Sequence, residues 1–327
     1  MVIVLNLIAV IVGFTLLLKG ADFFVDGSSN LAKIFKVPSL VIGLTIVALG
    51  TSAPELTVSS IAALQKSNEI AISNVIGSNT FNTLVVLGAC ALFCPLPIDT
   101  KVLKRDFPIS ILSTILVFLF VVFTFNKNVT INIANMSEYV GVISQVCGLI
   151  LIVLFISYIA YLIIDSNKNK NANEVEPADK NLINCILFIL LGLAMIIGGG
   201  EVVVYSAKNI ARAAGMTETL IGLTIVAIGT SIPELATSIV AARKDETGLA
   251  IGNVVGSNIF NLLFILGVSS LIDPIDVNLA SFVDLLILIL ISILTFIFCL
   301  TYKKIGKIEG LVMLIIYICF MVFAAIR

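Results

Sequence analysis

The sequence predicts an all-α membrane protein of ten transmembrane helices, arranged as two inverted five-helix repeats with both termini extracellular. Three observations predict it. Of 327 residues, 59% are hydrophobic and only 12% are charged, about half the roughly 25% charged content of soluble domains. So much apolar surface cannot be hidden in a water-soluble globule, because surface-to-volume scaling leaves too much of it outside. The apolar text falls into ten runs, and one stretch of it is written twice.

The composition also excludes several functions. With 19 basic and 20 acidic residues the net charge is −1, so there is no basic field for nucleic acid. Histidine is absent, which removes a Ser-His-Asp triad, a histidine zinc site and a histidine proton relay. Six cysteines (Cys90, Cys94, Cys147, Cys185, Cys299, Cys319) lie nearly all inside apolar runs and read as buried packing residues. Cys90 and Cys94 sit four apart, but two thiols with no partner ligands make a poor metal site.

A membrane helix needs roughly 20 apolar residues. The runs that qualify are 2–24, 38–64, 70–93, 107–125, 138–164, 182–204, 218–242, 249–272, 280–301 and 308–326. The first has no basic region before it and Lys19 after it, so it reads as a retained span rather than a signal peptide. Lys66, Lys127, Lys208, Arg212 and Arg327 fall on the side of the amino terminus. Thirteen basic residues, among them Lys101, Lys104, Arg105, Lys303, Lys304 and Lys307, fall on the other. The positive-inside rule makes that second side cytoplasmic. The polar segment from Asp165 to Lys180 reads as a disordered cytoplasmic linker. It divides the chain into a first half (1–164), a linker (165–181) and a second half (182–327).

Val41–Asn82 aligns without a gap on Leu220–Asn261 at a constant offset of 179, with 25 identities in 42 positions. Ile42-Gly-Leu-Thr-Ile-Val-Ala-Leu-Gly-Thr-Ser-Ala-Pro-Glu-Leu56 matches Ile221-Gly-Leu-Thr-Ile-Val-Ala-Ile-Gly-Thr-Ser-Ile-Pro-Glu-Leu235, and Asn74-Val-Ile-Gly-Ser-Asn-Thr-Phe-Asn82 matches Asn253-Val-Val-Gly-Ser-Asn-Ile-Phe-Asn261. The same offset pairs Asp22 with Glu201. Five spans per half make the second copy enter the membrane from the opposite side. An inverted repeat of this kind marks secondary transporters, whose sites lie where the repeats meet. Duplication for packing alone would preserve the apolar residues, whereas here the polar ones match best.

Glu55 and Glu234 fall mid-span. A charge at the bilayer centre costs at least about 2.5–3.5 kcal/mol on insertion scales, so each must be protonated or neutralised by a cation. Oxygen ligands without nearby nitrogen or sulfur suit a hard cation such as calcium rather than zinc or copper. Pro54 and Pro233 precede the glutamates; each lacks an amide hydrogen and crowds the carbonyl four residues back, of Gly50 and Gly229. The helix is expected to break there, turning the carbonyls of Ala48, Thr51, Ala227 and Thr230 toward a cavity, since exposed carbonyls at this depth must line a site. Ser78 and Asn82, four apart, share a helix face, as do Ser257 and Asn261. Interhelical hydrogen bonding is the alternative role for such residues.

Gly-Thr-Ser-x-Pro-Glu paired with Gly-Ser-Asn-x-Phe-Asn, twice and inverted, resembles the sodium/calcium exchanger family of the calcium/cation antiporters, over the whole chain. The resemblance implies a central calcium site made by Glu55 and Glu234 with backbone oxygens of Thr51 and Thr230. It implies flanking sodium sites using Ala48, Thr51, Ser52 and Ser78 on one side and Ala227, Thr230, Ser231 and Ser257 on the other. Asn82 and Asn261 complete the middle. Some relatives, including potassium-dependent ones, carry Asp where Asn261 stands, so this chain looks like the potassium-independent exchangers. Proton/calcium exchangers typically read Gly-Asn-Ala-x-Glu around the glutamate, which these motifs do not resemble. The short linker leaves no room for the calcium-sensing cytosolic domain of animal members. From the same resemblance, the first and sixth spans are expected to slide past a fixed core. Gly13, Gly20, Gly192, Gly198, Gly199 and Gly200 suit a close interface between them, with Asp22 and Glu201 as gating candidates at the mouths.

These readings imply no cofactor, calcium and sodium ions as transported substrates, the lipid bilayer of the cell membrane as surroundings, and no protein partner. The nearest rival is a proton/calcium antiporter in which the same glutamates carry protons. A passive cation channel does not account for the inverted repeat with its kinks. An intramembrane enzyme lacks a visible nucleophile–base pair.

Overall fold

A computed structural model describes residues 2–125, 136–168, 179–215 and 227–326. Most of the linker, the start of the predicted seventh span (218–226), Lys127, Lys170 and Arg327 lie outside the described residues. In chain order the helices are α1 (Val2–Phe35), α2 (Ser39–Thr51), α3 (Ala53–Leu64), α4 (Glu69–Phe93), α5 (Val102–Phe123), α6 (Gln145–Lys168), α7 (Leu182–Ala213), α8 (Ile232–Arg243), α9 (Thr247–Ile272), α10 (Leu279–Thr301) and α11 (Lys307–Ile326). A single turn, Ala227–Gly229, precedes α8. Among the described residues, eight helices are long and apolar enough to cross a membrane, or up to nine if α2 and α3, bent by 48°, count as one broken span.

The chain divides into two compact units, Met1–Pro54 with Asp165–Val254 and Glu55–Ile164 with Val255–Arg327. Each unit therefore draws on both halves of the sequence.

In the first unit α1 lies antiparallel against α7, and glycines set the contact. Gly13, Gly20 and Gly27 recur every seventh residue, the spacing that keeps one seam of a helix facing its partner. A Cβ on Gly13 would come within 2.9 Å of the Gly199 carbonyl, one on Gly20 within 2.8 Å of the Gly192 carbonyl, and one on Gly27 within 2.9 Å of the Cys185 carbonyl. Gly192 and Gly199 reciprocate the contact, at 2.7 Å from the Gly20 oxygen and 2.8 Å from the Gly13 oxygen. Gly198 and Gly200, predicted for the same interface, have open space where a Cβ would stand and take no part in it.

Helix α1 runs eleven residues past the predicted end at 24, to Phe35. The extension is largely polar, and several of its polar groups have protein partners, although the buried Ser28 hydroxyl has none among the described residues. Lys244 Nζ lies 2.7 Å from Asp26 Oδ1 and 3.3 Å from Asp22 Oδ1. Ser29 donates to Glu246, and Asn30 Oδ1 accepts the Asp179 amide at 2.9 Å. Asp22, a gating candidate by sequence, is thus one half of an ion pair, while Glu201 is exposed.

The helix break expected beside each glutamate is present. Ser52 (φ −85°, ψ 11°) separates α2 from α3, and Ser231 (φ −94°, ψ 5°) precedes α8. The prolines follow two residues later at helix starts, where a missing N–H is harmless. The break falls at the serine rather than at the glycine: Ala48 still accepts the Ser52 amide at 3.1 Å. Its carbonyl, which also accepts the Thr51 hydroxyl at 3.4 Å, is therefore not released as expected. Val204 of α7 presses on Gly229, 2.5 Å from where a Cβ would stand, and Phe24 of α1 packs tightly on Gly50 at 3.1 Å.

In the second unit the predicted span 138–164 is shortened. Tyr139–Ile143 forms a strand paired antiparallel with Ile275–Asn278, and α6 starts only at Gln145. Tyr-Val-Gly-Val-Ile is apolar and β-branched, so periodicity alone cannot separate it from a helix start. Gly141 is required there, since a Cβ would strike Val121 at 2.8 Å. A second short ladder pairs Leu96–Pro97 with Lys304–Ile305. Helix α5 packs on α10 through Phe107 with Phe296 and Phe118 with Phe282. Gly88 of α4 meets Gly310 of α11 backbone to backbone, a Cβ on Gly88 falling 2.9 Å from the Gly310 carbonyl. None of the six cysteines is in a disulfide; Cys90, Cys185 and Cys299 are buried as expected of packing residues, whereas Cys319 is exposed.

Candidate cation site

Each unit carries one of the two glutamates, and both side chains are fully buried. In the first unit, Ser52 Oγ donates to Glu234 Oε1 at 2.8 Å. A residue of the first repeat thus meets a residue of the second. Asn253 Nδ2 reaches the Glu234 carbonyl oxygen at 3.4 Å and Ser238 Oγ at 2.9 Å, while its Oδ1 accepts from Thr51 Oγ1 at 3.0 Å. One amide thereby ties the chain on both sides of the Glu234 carboxylate. Among the described residues Glu234 Oε2 has no hydrogen-bond partner, and neither has Thr230 Oγ1.

The second unit repeats the design. Ser78 Oγ donates to Glu55 Oε1 at 3.2 Å. Asn74 Nδ2 reaches the Glu55 carbonyl oxygen at 3.3 Å and Ser59 Oγ at 3.0 Å. Asn74 and Asn253 are equivalent under the offset of 179, as are Ser59 and Ser238. Sequence reasoning did not single these four out, although their identity across the two copies was the available signal.

Asn82 and Asn261 occupy equivalent places, each in a π-helical turn (Asn82–Val86 and Phe260–Ile265). Such turns interrupt the helical ladder and recur at functional sites. Both asparagines are fully buried. Asn261 Nδ2 donates to Asn79 Oδ1 at 3.0 Å, Asn79 Nδ2 donates to the Asn258 carbonyl at 3.1 Å, and Asn258 Nδ2 donates to Thr83 Oγ1 at 2.9 Å. Asn261 Oδ1 and both side-chain polar atoms of Asn82 have no hydrogen-bond partner among the described residues. Buried amides are nearly always satisfied, so these oxygens are suited to an ion. Ser231 and Ser257 are buried as well; Ala48 and Ala227 offer only backbone oxygens.

The donor set is one of carboxylate, hydroxyl, amide and carbonyl oxygens, the ligand type of hard cations. Among the described residues no three acidic or cysteine side chains cluster, so each glutamate must be completed by neutral oxygens.

The sequence profile of the family described as "Sodium/calcium exchanger protein" matches residues 5–164 and 184–326. The sodium/calcium exchanger MaX1 of Methanosarcina acetivorans is 34% identical over 347 residues, covering 98% of each chain. The chain belongs to the sodium/calcium exchanger family. Its relatives also include the inner membrane protein YrbG of Escherichia coli, 33% identical over 88% of this chain and 87% of that one. A structure of the sodium-calcium exchanger NCX_Mj, soaked with 10 mM Na+ and 10 mM Sr2+, superposes with a TM-score of 0.81 at 32% identity over 97% of both chains. The all-helical membrane fold of this exchanger is therefore that of a solved family member.

Proposed function

We propose that this exchanger is a secondary antiporter of the cell membrane that expels calcium at the expense of the sodium gradient, by alternating access. The reading is carried by one observation above all: each proline-linked break delivers a buried glutamate whose carboxylate accepts a serine hydroxyl, Glu55 from Ser78 and Glu234 from Ser52. Glu55 and Glu234 bind calcium, with backbone oxygens of Thr51 and Thr230. Ala48, Thr51, Ser52 and Ser78, and their counterparts Ala227, Thr230, Ser231 and Ser257, serve sodium. Asn82 and Asn261 supply neutral oxygens to the middle.

The charges follow from this assignment. The two carboxylates carry −2, which one calcium ion or two sodium ions neutralise, and the neutral asparagines add no third fixed charge. Exchange of one calcium for three sodium ions then moves one net charge, worth about 2.3 kcal/mol per 100 mV. We read transport as electrogenic on that stoichiometry, which the charge count permits without fixing, and as potassium-independent from the resemblance carried by Asn261. Ten spans in two five-helix halves (1–164 and 182–327) about a linker (165–181) put both termini outside, as the distribution of basic residues favours.

The test is calcium-45 uptake into liposomes holding the purified protein, loaded with sodium and diluted into choline medium. Uptake that needs internal sodium, survives a proton ionophore and responds to the membrane potential is expected. Uptake driven by a pH gradient and indifferent to sodium would replace this reading with proton/calcium antiport.

A further inference from the structure

Away from the buried polar residues, helices α5 and α6 of the second unit leave a groove of about 340 Å³ between them. Ile109, Leu112 and Leu116 line it from α5, at the spacing of one helix face, and Leu154 and Tyr161 line it from α6. Three of the hydroxyls along it are already engaged. Ser113 and Ser157 donate to the carbonyls of Ile109 and Val153, four residues back, and Tyr158 donates to Asp106 at 3.0 Å. The slot thus accepts hydrocarbon and offers almost nothing to a polar ligand.

One end of the slot is different. Arg105, one turn before Ile109 on the same face, lies 5.8 Å from the centre of the Tyr161 ring, in cation–π range. Its Nε is 2.7 Å from Asp106 Oδ1, a carboxylate that is fully buried. Lys101, one turn earlier still, and Lys104 are exposed. The Leu96–Pro97 ladder, together with the bond from the Ile98 amide to the Lys303 carbonyl at 2.8 Å, brings Lys303, Lys304 and Lys307 to the same end. The acids there are Asp99, which accepts the Lys101 amide, Asp106, engaged by Arg105, Glu309, bonded to the Gly306 amide, and Asp165, one turn beyond Tyr161 on α6. Basic residues outnumber them, and each acid already has a partner.

A hydrocarbon slot that opens at a cationic rim matches an amphiphile with an acyl chain and an anionic head. We propose that this groove is a binding site for an anionic phospholipid, one acyl chain lying between α5 and α6 and the phosphate at Lys101, Lys104 and Arg105. The site uses none of the residues assigned to ion transport and stands whether or not that assignment does.

The chain has no tryptophan, so a single introduced indole is a clean reporter. Tyr161→Trp keeps an aromatic face under Arg105, and Leu116→Trp is a second reporter within the slot. Ile318→Trp, on the exposed face of α11, reports ordinary surrounding lipid. Each variant is reconstituted in bilayers mixing phosphatidylglycerol and phosphatidylcholine, with one or the other brominated in its chains. Both slot reporters are expected to be quenched preferentially by brominated phosphatidylglycerol, and the α11 reporter without preference. Lys101→Ala with Lys104→Ala, added to either slot reporter, should erase the preference, by about fivefold for each lysine removed. Equal quenching of the slot reporters by the two lipids, the same preference at the α11 reporter, or a preference that survives removal of the lysines would each overturn the proposal.

Discussion

Ser52 and Glu234 stand 182 residues apart in the chain and share a buried hydrogen bond of 2.8 Å. The serine sits at the break beside the first glutamate, yet its hydroxyl serves the second. The bond ties the first copy of the repeated sequence to the second, beside the close backbone packing of Gly43 on Leu249 and Gly252 on Leu40.

Glu55→Gln with Glu234→Gln keeps the shape and a carbonyl oxygen for each serine but removes both charges. Calcium binding is expected to fall by at least about 100-fold, because losing one charged partner of a buried ionic contact costs about 3–5 kcal/mol. Isothermal titration of the purified variant with calcium measures it; wild-type affinity would dismiss the assignment. Ser110, on α5 outside the repeats, should tolerate alanine with little change in uptake.

Asn253→Ala strips partners from Thr51 Oγ1, Ser238 Oγ and the Glu234 carbonyl at once. Each orphaned buried group costs about 1–3 kcal/mol. Melting in detergent should drop by several degrees, and the half-saturating calcium concentration for uptake should rise. Asn74→Ala should give the smaller loss, since it releases Ser59 and the Glu55 carbonyl but no threonine.

Much of this was legible beforehand. Repeated polar text located both glutamates, their serines and the paired asparagines, and proline beside glutamate announced each break. Three things were not. Apolar runs carry no mark separating Tyr139–Ile143 from the helix that follows, because lipid-facing and strand-paired residues are equally hydrophobic. The π-helical turns at Asn82 and Phe260 left no compositional trace. The polar end of α1 looked like a connection because its partners, Lys244, Glu246 and Asp179, lie more than a hundred residues away.

Gly20→Leu should separate α1 from α7, as even its Cβ would meet the Gly192 carbonyl at 2.8 Å. Overpacking of this kind costs about 1–3 kcal/mol, and thermal unfolding with and without the substitution measures it. Gly198→Ala, on α7 with open space around it, should instead match or exceed the wild type in stability, by up to about 1 kcal/mol from helix propensity.

Lys244→Gln breaks the ion pairs to Asp22 and Asp26, in which the side chains remain 32–41% exposed. Partly solvated pairs contribute about 0–1 kcal/mol, so the melting temperature should barely move. Hydrogen exchange is expected to report what melting does not: faster exchange across residues 22–33, where α1 loses its anchor, and no change in α10.

The glycine seam between α1 and α7 has a mechanical meaning. Where side chains interdigitate, a helix can yield by changing rotamers, but carbonyls resting on α-carbons have no rotamers to change. Two rods laid bare against each other in this way leave no slack between them. A push on either along the seam would be met at once by the backbone of the other.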